Sequence, residues 1–284
     1  MKKRVFLLLL IFTFLLFGCT ENKISETQTE GQAVDIPIEY PIGSVSSQAP
    51  IEEDAEEEKT VAPIEEETEP NAPLASYVKS EVNALAVRSG PGTGYKKIGS
   101  LDKGDLVRFH GLEGGWYRTE YLGGVAYVSA SGKLTSVFTM DEADERTEEV
   151  IKTGERYLGT PYVYGAVRLH DGYGHLLKNF SINKFDCSSF MQYIFFYGAD
   201  VILRETTRTQ VSQGEKVDKN ELRRGDLIFM TNASRKRLTG TERIGHVALY
   251  LGEGYILHTA SDHAVIEKMS AERWNNYVAA RRMV

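Results

Sequence analysis

Cysteine is scarce in this chain of 284 residues, which contains only Cys19 and Cys187. Two cysteines cannot build a disulfide scaffold, and their distant positions indicate that each has a separate role. The composition has no collagen-like or heptad-dominated character, and a hydrophobic share of 42% excludes a wholly disordered protein. The length indicates one or two domains. The net charge of −7 gives no reason to expect a nucleic acid partner.

Residues 1–19 are typical of a secretory signal. Lys2-Lys3-Arg4 precedes an apolar run over residues 5–17, which is shorter than a typical membrane-spanning helix. The run ends in Leu16-Phe17-Gly18-Cys19, which resembles a bacterial lipobox. This resemblance implies that Cys19 is lipidated and that the protein is extracytoplasmic, with a lipid anchor in the cell membrane. An ordinary cleaved signal peptide with an incidental cysteine is the alternative.

Residues 20–75 carry most of the acidity. From Glu21 to Ala75 there are fifteen acidic and two basic residues, with no helical or strand period. Such a segment cannot bury enough apolar surface to offset its chain entropy, so we expect a disordered, extended tether. Residues 76–284 carry 28 Lys+Arg and 25 Asp+Glu, so the rest of the chain is close to neutral.

Residues 76–137 contain short apolar segments about ten residues apart, with glycine-rich turns between them. The segments predicted as strands are 84–88, 98–101, 105–109, 116–119 and 125–128. Regular short strands with such connections predict a small all-β barrel.

The barrel region resembles bacterial SH3-like domains of the cell-wall type. The matching pieces are Leu85-x-Val87-Arg88-Ser89-Gly90-Pro91-Gly92, Leu101-x-Lys103-Gly104-Asp105, Gly115-Trp116-Tyr117 and Gly124-x-Ala126-Tyr127-Val128. The resemblance implies a domain that binds wall components or shapes a neighbouring active site. Trp116, Tyr117 and Tyr127 could form a binding platform, or they could belong to the barrel core.

Residues 146–284 begin with a helical pattern in which Val150, Ile151, Tyr157 and Leu158 share one face. A second helix is predicted from Asp186, because apolar residues recur over 190–195 at helical spacing. Cys187 then lies in the first turn, where backbone amides and the helix dipole favour a thiolate with a lowered pKa. A buried structural cysteine is the alternative.

Two histidines flank a predicted hairpin around Gly252-Glu253-Gly254. If those three residues form the loop, His246 pairs with Ala260 and His258 pairs with Ala248. The two histidines then lie diagonally on the same face of the sheet, within side-chain reach. A register change of one residue would separate them.

Together these features resemble the NlpC/P60 family of cell-wall cysteine peptidases. The matching pieces are Leu158-Gly159-Thr160-Pro161-Tyr162-x-Tyr164-Gly165, Phe185-Asp186-Cys187-Ser188, Leu203-Arg204, Gln210, Leu222-x-x-Gly225-Asp226-Leu227-Ile228-Phe229, Gly245-His246-Val247-Ala248-Leu249-Tyr250-Leu251-Gly252 and His258. The resemblance implies a papain-like α+β fold after the SH3-like barrel. It also implies cleavage of an amide bond in peptidoglycan stem peptides or muropeptides, commonly the bond between D-γ-glutamate and a diamino acid.

The resemblance assigns Cys187 as nucleophile, His246 as general base and His258 as the residue that orients the base. Three further roles follow from the matching positions. Tyr162 is expected to help stabilise the oxyanion with the Cys187 backbone N–H, and Asp186 and Ser188 are expected to contact the stem peptide unless they only cap the helix. A contact with the glutamyl carboxylate falls on Thr206 or Thr207.

An insertion over residues 167–184 either borders the cleft or is a surface segment without substrate contact. No cofactor is implied. A zinc site of Cys187, His246 and His258 is chemically possible but lacks a fourth ligand. Two further functional hypotheses are a cell-wall amidase or acyltransferase on the same scaffold, and a non-enzymatic wall-binding lipoprotein.

Overall fold

A computed structural model describes residues 73–260 and 262–284 of the chain. The predicted signal sequence, the lipidation of Cys19 and nearly all of the tether predicted over residues 20–75 lie outside the described residues. Within the described part, no helix is both long and apolar enough to cross a membrane.

The N-terminal part is a small barrel of eight short strands. They are β1 (Leu74–Ser80), β2 (Leu85–Arg88), β3 (Lys97–Leu101), β4 (Leu106–Arg108), β5 (Gly111–Glu113), β6 (Trp116–Tyr121), β7 (Gly124–Ser129) and β8 (Thr135–Asp141). Two antiparallel sheets have the strand orders β4-β1-β8 and β3-β2-β7-β6-β5. Tyr77, Val87 and Val128 are fully buried. All five predicted strands are confirmed, whereas β1, β5 and β8 were not predicted.

The three aromatic residues considered for a binding platform do not share one surface. Tyr117 packs edge-on against Phe109, with ring centroids 5.5 Å apart, and so joins the partly buried side of the barrel. Trp116 and Tyr127 lie on the opposite sheet face, because Tyr127 pairs with Arg118, two residues beyond Trp116. Only Trp116 and Tyr127 therefore stay together, and both are half-buried.

The C-terminal part is an α+β domain. Its regular elements are α1 (Glu145–Glu155), α2 (Cys187–Ala199), α3 (Thr207–Gln210), β9 (Glu215–Val217), β10 (Leu227–Met230), β11 (His246–Gly252), β12 (Tyr255–Ala260), β13 (His263–Lys268), α4 (Ala271–Asn275) and β14 (Tyr277–Arg282). The strands form one antiparallel sheet in the order β13-β12-β11-β10-β14-β9. Helices α1 and α2 pack on each other, and α2 packs on β11 and β12.

The two main helices follow the predicted pattern with one difference. The apolar face predicted for the second helix is fully buried and comprises Phe190, Met191, Ile194 and Phe195. In the first helix, Val150 and Ile151 are buried as predicted, but the helix ends at Glu155. Tyr157 and Leu158 therefore lie in the following turn, where the Tyr157 N–H donates to the Gly154 carbonyl at 3.0 Å.

The hairpin between β11 and β12 has the predicted register and a different turn. Leu249 pairs with Leu257 and Tyr250 with Ile256, which is the register of a three-residue loop. The loop itself is only Glu253-Gly254, both with positive φ, and a bulge before Gly252 absorbs the remaining residue. The strand bodies are therefore aligned as predicted, and the two histidines face the same side of the sheet.

The barrel and the C-terminal domain meet along a tightly packed interface. The ring of Tyr121 lies so close to Gly159 that an added Cβ would come within 2.1 Å of it. Gly159 also has a φ of +81°, which glycine adopts without strain. Backbone N–H groups of Leu122 and Gly123 donate to the carbonyls of Leu158 and Arg156. The barrel is thereby joined to the turn that follows α1.

A buried group of charged residues completes this interface. We call it the docking cluster, and it consists of Tyr77, Arg108, Glu148, Glu155 and Arg224. The Tyr77 hydroxyl donates to Glu155 at 2.6 Å and accepts from Arg224 at 2.8 Å. Arg224 forms a two-point ion pair with Glu148, whose second contact is 3.0 Å. Tyr77 and Arg108 belong to the barrel, whereas Glu148 and Glu155 belong to α1 and are each only 2% exposed. The cluster therefore fixes the barrel against α1.

Candidate functional site

Cys187 begins α2, directly after a complete capping box. The Asp186 carboxylate accepts the Ser189 backbone N–H at 2.8 Å, and the Ser189 hydroxyl accepts the Asp186 N–H at 2.9 Å. The Ser188 hydroxyl also donates to Asp186, at 3.1 Å. Helix capping is therefore a role of Asp186 in the structure. The cap places Cys187 at the N-terminal end of α2, where backbone N–H groups have no partner within the helix.

The surroundings of Cys187 favour the protonated thiol over the thiolate. Burial and the neighbouring Asp186 charge raise the pKa of Cys187 to about 12. Backbone N–H groups of Val247, Ser188 and Cys187 lower it, but by less. The expectation of a lowered pKa is therefore wrong, because desolvation of a thiolate outweighs the favourable dipole of the helix.

A chain of hydrogen bonds links the two histidines to an acidic residue. His246 Nε2 lies 2.8 Å from His258 Nδ1, and His258 Nε2 lies 2.8 Å from Glu267 Oε1. The Arg273 guanidinium pairs with the same Glu267 oxygen. We call these four residues the relay. The diagonal placement predicted for the histidines is confirmed at hydrogen-bond distance, while Glu267 and Arg273 were not foreseen.

Both histidines of the relay are held neutral. Burial lowers the pKa of His246 well below its ordinary value, and the positive charges of a protonated His258 and of Arg273 act in the same direction. Burial also lowers the pKa of His258, although the hydrogen bond to Glu267 opposes this effect. The resting site is thus a neutral thiol near a neutral imidazole.

Two adjacent cavities contain Cys187 and His246. The first, of about 360 Å³, contains Cys187 and is called the thiol cavity. It is lined by Tyr162, Tyr164, Gly165, Arg168, Asp186, Cys187, Ser188, Thr206, Thr207, Arg208, Asn232, Ser234, Arg235 and Gly245. The second, of about 530 Å³, contains His246 and is called the imidazole cavity. Tyr162, Asn232 and Gly245 line both cavities, so the two are adjacent.

The structure brings most of the predicted site residues together. Tyr162, Asp186, Ser188 and Thr206 all line the thiol cavity with Cys187. Burial, more than the neighbouring charges, raises the pKa of the Tyr162 hydroxyl, which keeps it a hydrogen-bond donor. His258 is fully buried behind His246 and lines neither cavity.

The thiol cavity also carries three arginines that no sequence motif indicated. Arg168, Arg208 and Arg235 line it, and Arg208 and Arg235 share Glu242 as ion-pair partner. The side chain of Glu242 is 64% exposed, so it neutralises the arginines only weakly. This wall of the cavity is therefore cationic.

The insertion over residues 167–184 reaches the cavity only at its start. Arg168 donates to the Glu205 carbonyl and lines the thiol cavity. Further along, His170 packs under Phe196 of α2, and the Tyr173 ring lies 4.1 Å from the guanidinium carbon of Arg204. One residue of the insertion thus borders the cleft, while His170 and Tyr173 pack against neighbouring segments of the domain.

The barrel contributes no residue to either cavity within the described ranges 73–260 and 262–284. It packs instead behind the sheet edge that supports the relay. The charge of Glu267 contributes to raising the pKa of Asp105, just before β4, to about 6, after the larger effect of burial. Strands β4 and β13 are also in contact. The barrel therefore lies against the strand that carries Glu267 and lines neither of the two cavities.

These features define a class of protein, namely an α+β domain with a cysteine at a helix start beside an antiparallel sheet, preceded by a small SH3-like barrel. Residues 159–283 match the model of the NlpC/P60 family, and residues 83–132 match the model described as a bacterial SH3 domain. The two matches lie in the predicted order and confirm the predicted fold class, an α+β domain preceded by a small all-β barrel.

Similar proteins are found among peptidoglycan-active enzymes of Bacillus. The chain is 32% identical over 130 residues to the peptidoglycan DL-endopeptidase CwlO of Bacillus licheniformis, covering 45% of this chain and 25% of that protein. It is 29% identical over 155 residues to a gamma-D-glutamyl-L-lysine dipeptidyl-peptidase of Bacillus subtilis, covering 55% of this chain and 45% of that protein. A crystal structure of an NlpC/P60 family protein from Bacillus cereus has a TM-score of 0.40 and 21% identity, covering 74% of this chain and 63% of that chain. The chain thus spans less than half the length of both curated relatives.

Proposed function

We propose that this protein hydrolyses an amide bond in peptidoglycan stem peptides, between D-γ-glutamate and a diamino acid, by thioester chemistry on Cys187. The observation that carries the proposal is the hydrogen-bonded pair of His246 and His258, at a cavity adjacent to the one that contains Cys187 at a helix start. The names of the two curated relatives supply the substrate class.

The attack begins from a neutral pair. His246 Nε2 is engaged by His258, so Nδ1 is the ring nitrogen left for Cys187. As the sulfur forms a bond to the amide carbon, the thiol proton passes to His246 Nδ1. This coupled transfer avoids a free thiolate, which burial disfavours.

The next steps use the same groups. The Cys187 backbone N–H and the Tyr162 hydroxyl donate to the oxygen that becomes negative. The imidazolium of His246 then gives its proton to the departing amine, and the C–N bond breaks to leave a thioester. Water, deprotonated by His246, releases the acid product and restores the thiol.

The cationic wall supports an anionic acyl portion. Arg168, Arg208 and Arg235 face the space beside Cys187, where the α-carboxylate of a γ-linked glutamate would lie. Charge-assisted hydrogen bonds from guanidinium to carboxylate are among the stronger polar contacts in proteins. We assign this wall to recognition of the glutamyl carboxylate, together with Ser188 and Thr206.

The predicted location follows from this substrate. Peptidoglycan lies outside the cytoplasmic membrane, so the proposed activity is extracytoplasmic. Attachment through Cys19 is part of this proposal. It would be tested by incorporation of labelled fatty acid into the full chain, which we expect to be lost in Cys19→Ala; unchanged incorporation would contradict the anchor.

The activity is tested by incubating the full chain with purified muropeptides and identifying the products by mass spectrometry. We expect fragments ending in γ-D-glutamate, and none with Cys187→Ala. Cleavage at the bond between sugar and peptide would favour an amidase, and a transferred acyl group would favour an acyltransferase. Retained wall binding without any product would favour a non-enzymatic wall-binding protein.

A further inference from the structure

We propose that Glu267 is a positioning residue, which sets the tautomers of His258 and His246 so that His246 presents an unprotonated Nδ1 to Cys187. The consequence for activity rests on the proposed function, whereas the assignment of tautomers rests on the hydrogen bonds alone.

The placement of Glu267 follows from strand pairing. His258 on β12 pairs with Val265 on β13, and Glu267 lies two residues further along the same strand. Side chains two apart on a strand face the same side, so Glu267 is diagonal to His258. His258 is thereby held between His246 and Glu267, with 2.8 Å contacts at both ring nitrogens.

An ionised carboxylate determines the tautomer of the ring that it touches. Glu267 can only accept a hydrogen bond, so His258 Nε2 must carry the proton. His258 is neutral, because burial lowers its pKa, and its Nδ1 must therefore accept. Among the described residues, the group that Nδ1 meets is His246 Nε2, at 2.8 Å.

The same logic then applies to His246. Its Nε2 must donate to His258, so a neutral His246 has its lone pair on Nδ1. That nitrogen is the one not used in the relay. Without an acceptor at position 267, His258 is free to carry its proton on Nδ1, and His246 would then be protonated on the nitrogen that must take the thiol proton.

Arg273 keeps Glu267 in the required state. Its guanidinium pairs with Glu267 Oε1, and the Ser270 hydroxyl caps α4 by accepting the Arg273 backbone N–H at 3.2 Å. Burial acts to raise the pKa of Glu267, but the hydrogen bond from His258 and the charge of Arg273 hold it below its ordinary value. The carboxylate therefore stays ionised and acceptor-only.

The direct test is nitrogen-15 NMR of the histidine rings in the full chain, which reports which ring nitrogen carries each proton. We expect Nε2–H on both His258 and His246. In Glu267→Ala we expect His258 to shift towards Nδ1–H, whereas Glu267→Gln keeps an acceptor and retains the original pattern. Glu215→Ala, which removes an exposed carboxylate on β9 of the same sheet, should change nothing.

Kinetics on muropeptides provide the second readout. Glu267→Ala should lower kcat on the order of 10- to 100-fold with little change in KM, because the residue acts on the base and not on the substrate. Glu267→Gln should recover most of that loss.

Three results would overturn the proposal. They are Nδ1–H on His258 in the unaltered protein, an unchanged tautomer pattern in Glu267→Ala, or a glutamine variant as impaired as the alanine variant. The first needs no substitution, so it decides the matter even if Glu267→Ala does not fold. An unaltered protein that cleaves no stem peptide would refute the proposed function but not the tautomer assignment.

Discussion

The docking cluster and the relay are both hydrogen-bonded groups of charged and polar side chains, yet their hydrogen bonds are arranged differently. In the docking cluster, the Tyr77 hydroxyl donates to Glu155 and Arg224 donates to Glu148, Tyr77 and the Leu251 carbonyl, so these donors all have partners within the protein. In the relay, the Nδ1 atom of His246 takes no part in the hydrogen bonds between the four residues, and His246 lines the imidazole cavity. A network whose donors and acceptors are all paired can stabilise a structure. A network that ends in an available basic nitrogen at a cavity can also accept and release a proton.

This difference predicts which substitutions affect chemistry and which affect folding. Removal of a residue of the docking cluster leaves a buried charged group without its partner and should lower the free energy of unfolding. Removal of the relay's terminal imidazole should abolish turnover and leave the fold largely intact. Four predictions test this difference, from the largest expected effect to the smallest.

The largest effect is expected for His246→Ala. It removes the only group in the proposed mechanism that accepts the thiol proton, so kcat/KM should fall by about 10⁴-fold or more. Hydrolysis of muropeptides, measured by product formation, checks this. His175→Ala, an exposed histidine in the insertion, serves as the control. Turnover within tenfold of the unaltered protein would remove His246 from the mechanism.

The next effect concerns the docking cluster. Arg224→Ala leaves Glu148 buried without its two-point partner, and breaking such a pair costs about 3–5 kcal/mol. Urea unfolding measures the loss. Lys152→Ala is a matched control, because it breaks the exposed pair with Glu149 on the same helix and should cost no more than about 0.5 kcal/mol. Equal losses in the two variants would show that the docking cluster adds no stability.

A smaller effect is expected at the cationic wall. Arg208→Gln should raise KM about tenfold for stem peptides with a free glutamyl α-carboxylate, since a charged hydrogen bond contributes roughly 1.5 kcal/mol. Peptides in which that carboxylate is amidated should show little change. Arg237→Gln, an exposed residue that does not line the cavity, is the control. Equal KM changes for both peptides would contradict carboxylate recognition by Arg208.

The smallest effect is a pH dependence of stability. The folded-state pKa values of His246 and His258 are lowered, so the unfolded chain binds protons that the folded chain does not. The free energy of unfolding is therefore greatest above the ordinary histidine pKa of about 6.5 and decreases as the pH falls below it, by at most about 1.4 kcal/mol per pH unit for each histidine.

Urea midpoints between pH 7.5 and 5 check this dependence. His258→Asn should show a shallower loss than the unaltered protein, whereas His175→Asn, at an exposed position, should not. Asp105 has the opposite sign, because its raised pKa of about 6 makes it lose stability as the pH rises, but its contribution is common to all variants. An identical slope in His258→Asn would contradict the burial of a neutral imidazole.

The parts of the site that could be predicted from sequence were local. The spacing of His246 and His258 around a glycine-rich turn was enough to align them, even though a bulge and a two-residue turn replace the simple loop. Cys187 at a helix start followed from a cap and an apolar period. Each of these depends on residues close together in the chain.

The missing parts depend on distant pairings or on burial. Glu267 reaches His258 only through the pairing of β13 with β12, and Arg168, Arg208 and Arg235 come from segments far apart in the chain. The pKa of Cys187 was predicted with the wrong sign, because the sequence indicates a helix dipole but not how deeply the thiol is desolvated.

The central claim is that Cys187 forms a thioester with the acyl part of a stem peptide. Rapid acid quenching of the full chain with excess muropeptide, followed by peptide mapping, measures it directly. We predict a mass increase equal to the γ-D-glutamyl fragment on the peptide containing Cys187, and no adduct or product with Cys187→Ala. Product formation by Cys187→Ala at the rate of the unaltered protein would contradict the account.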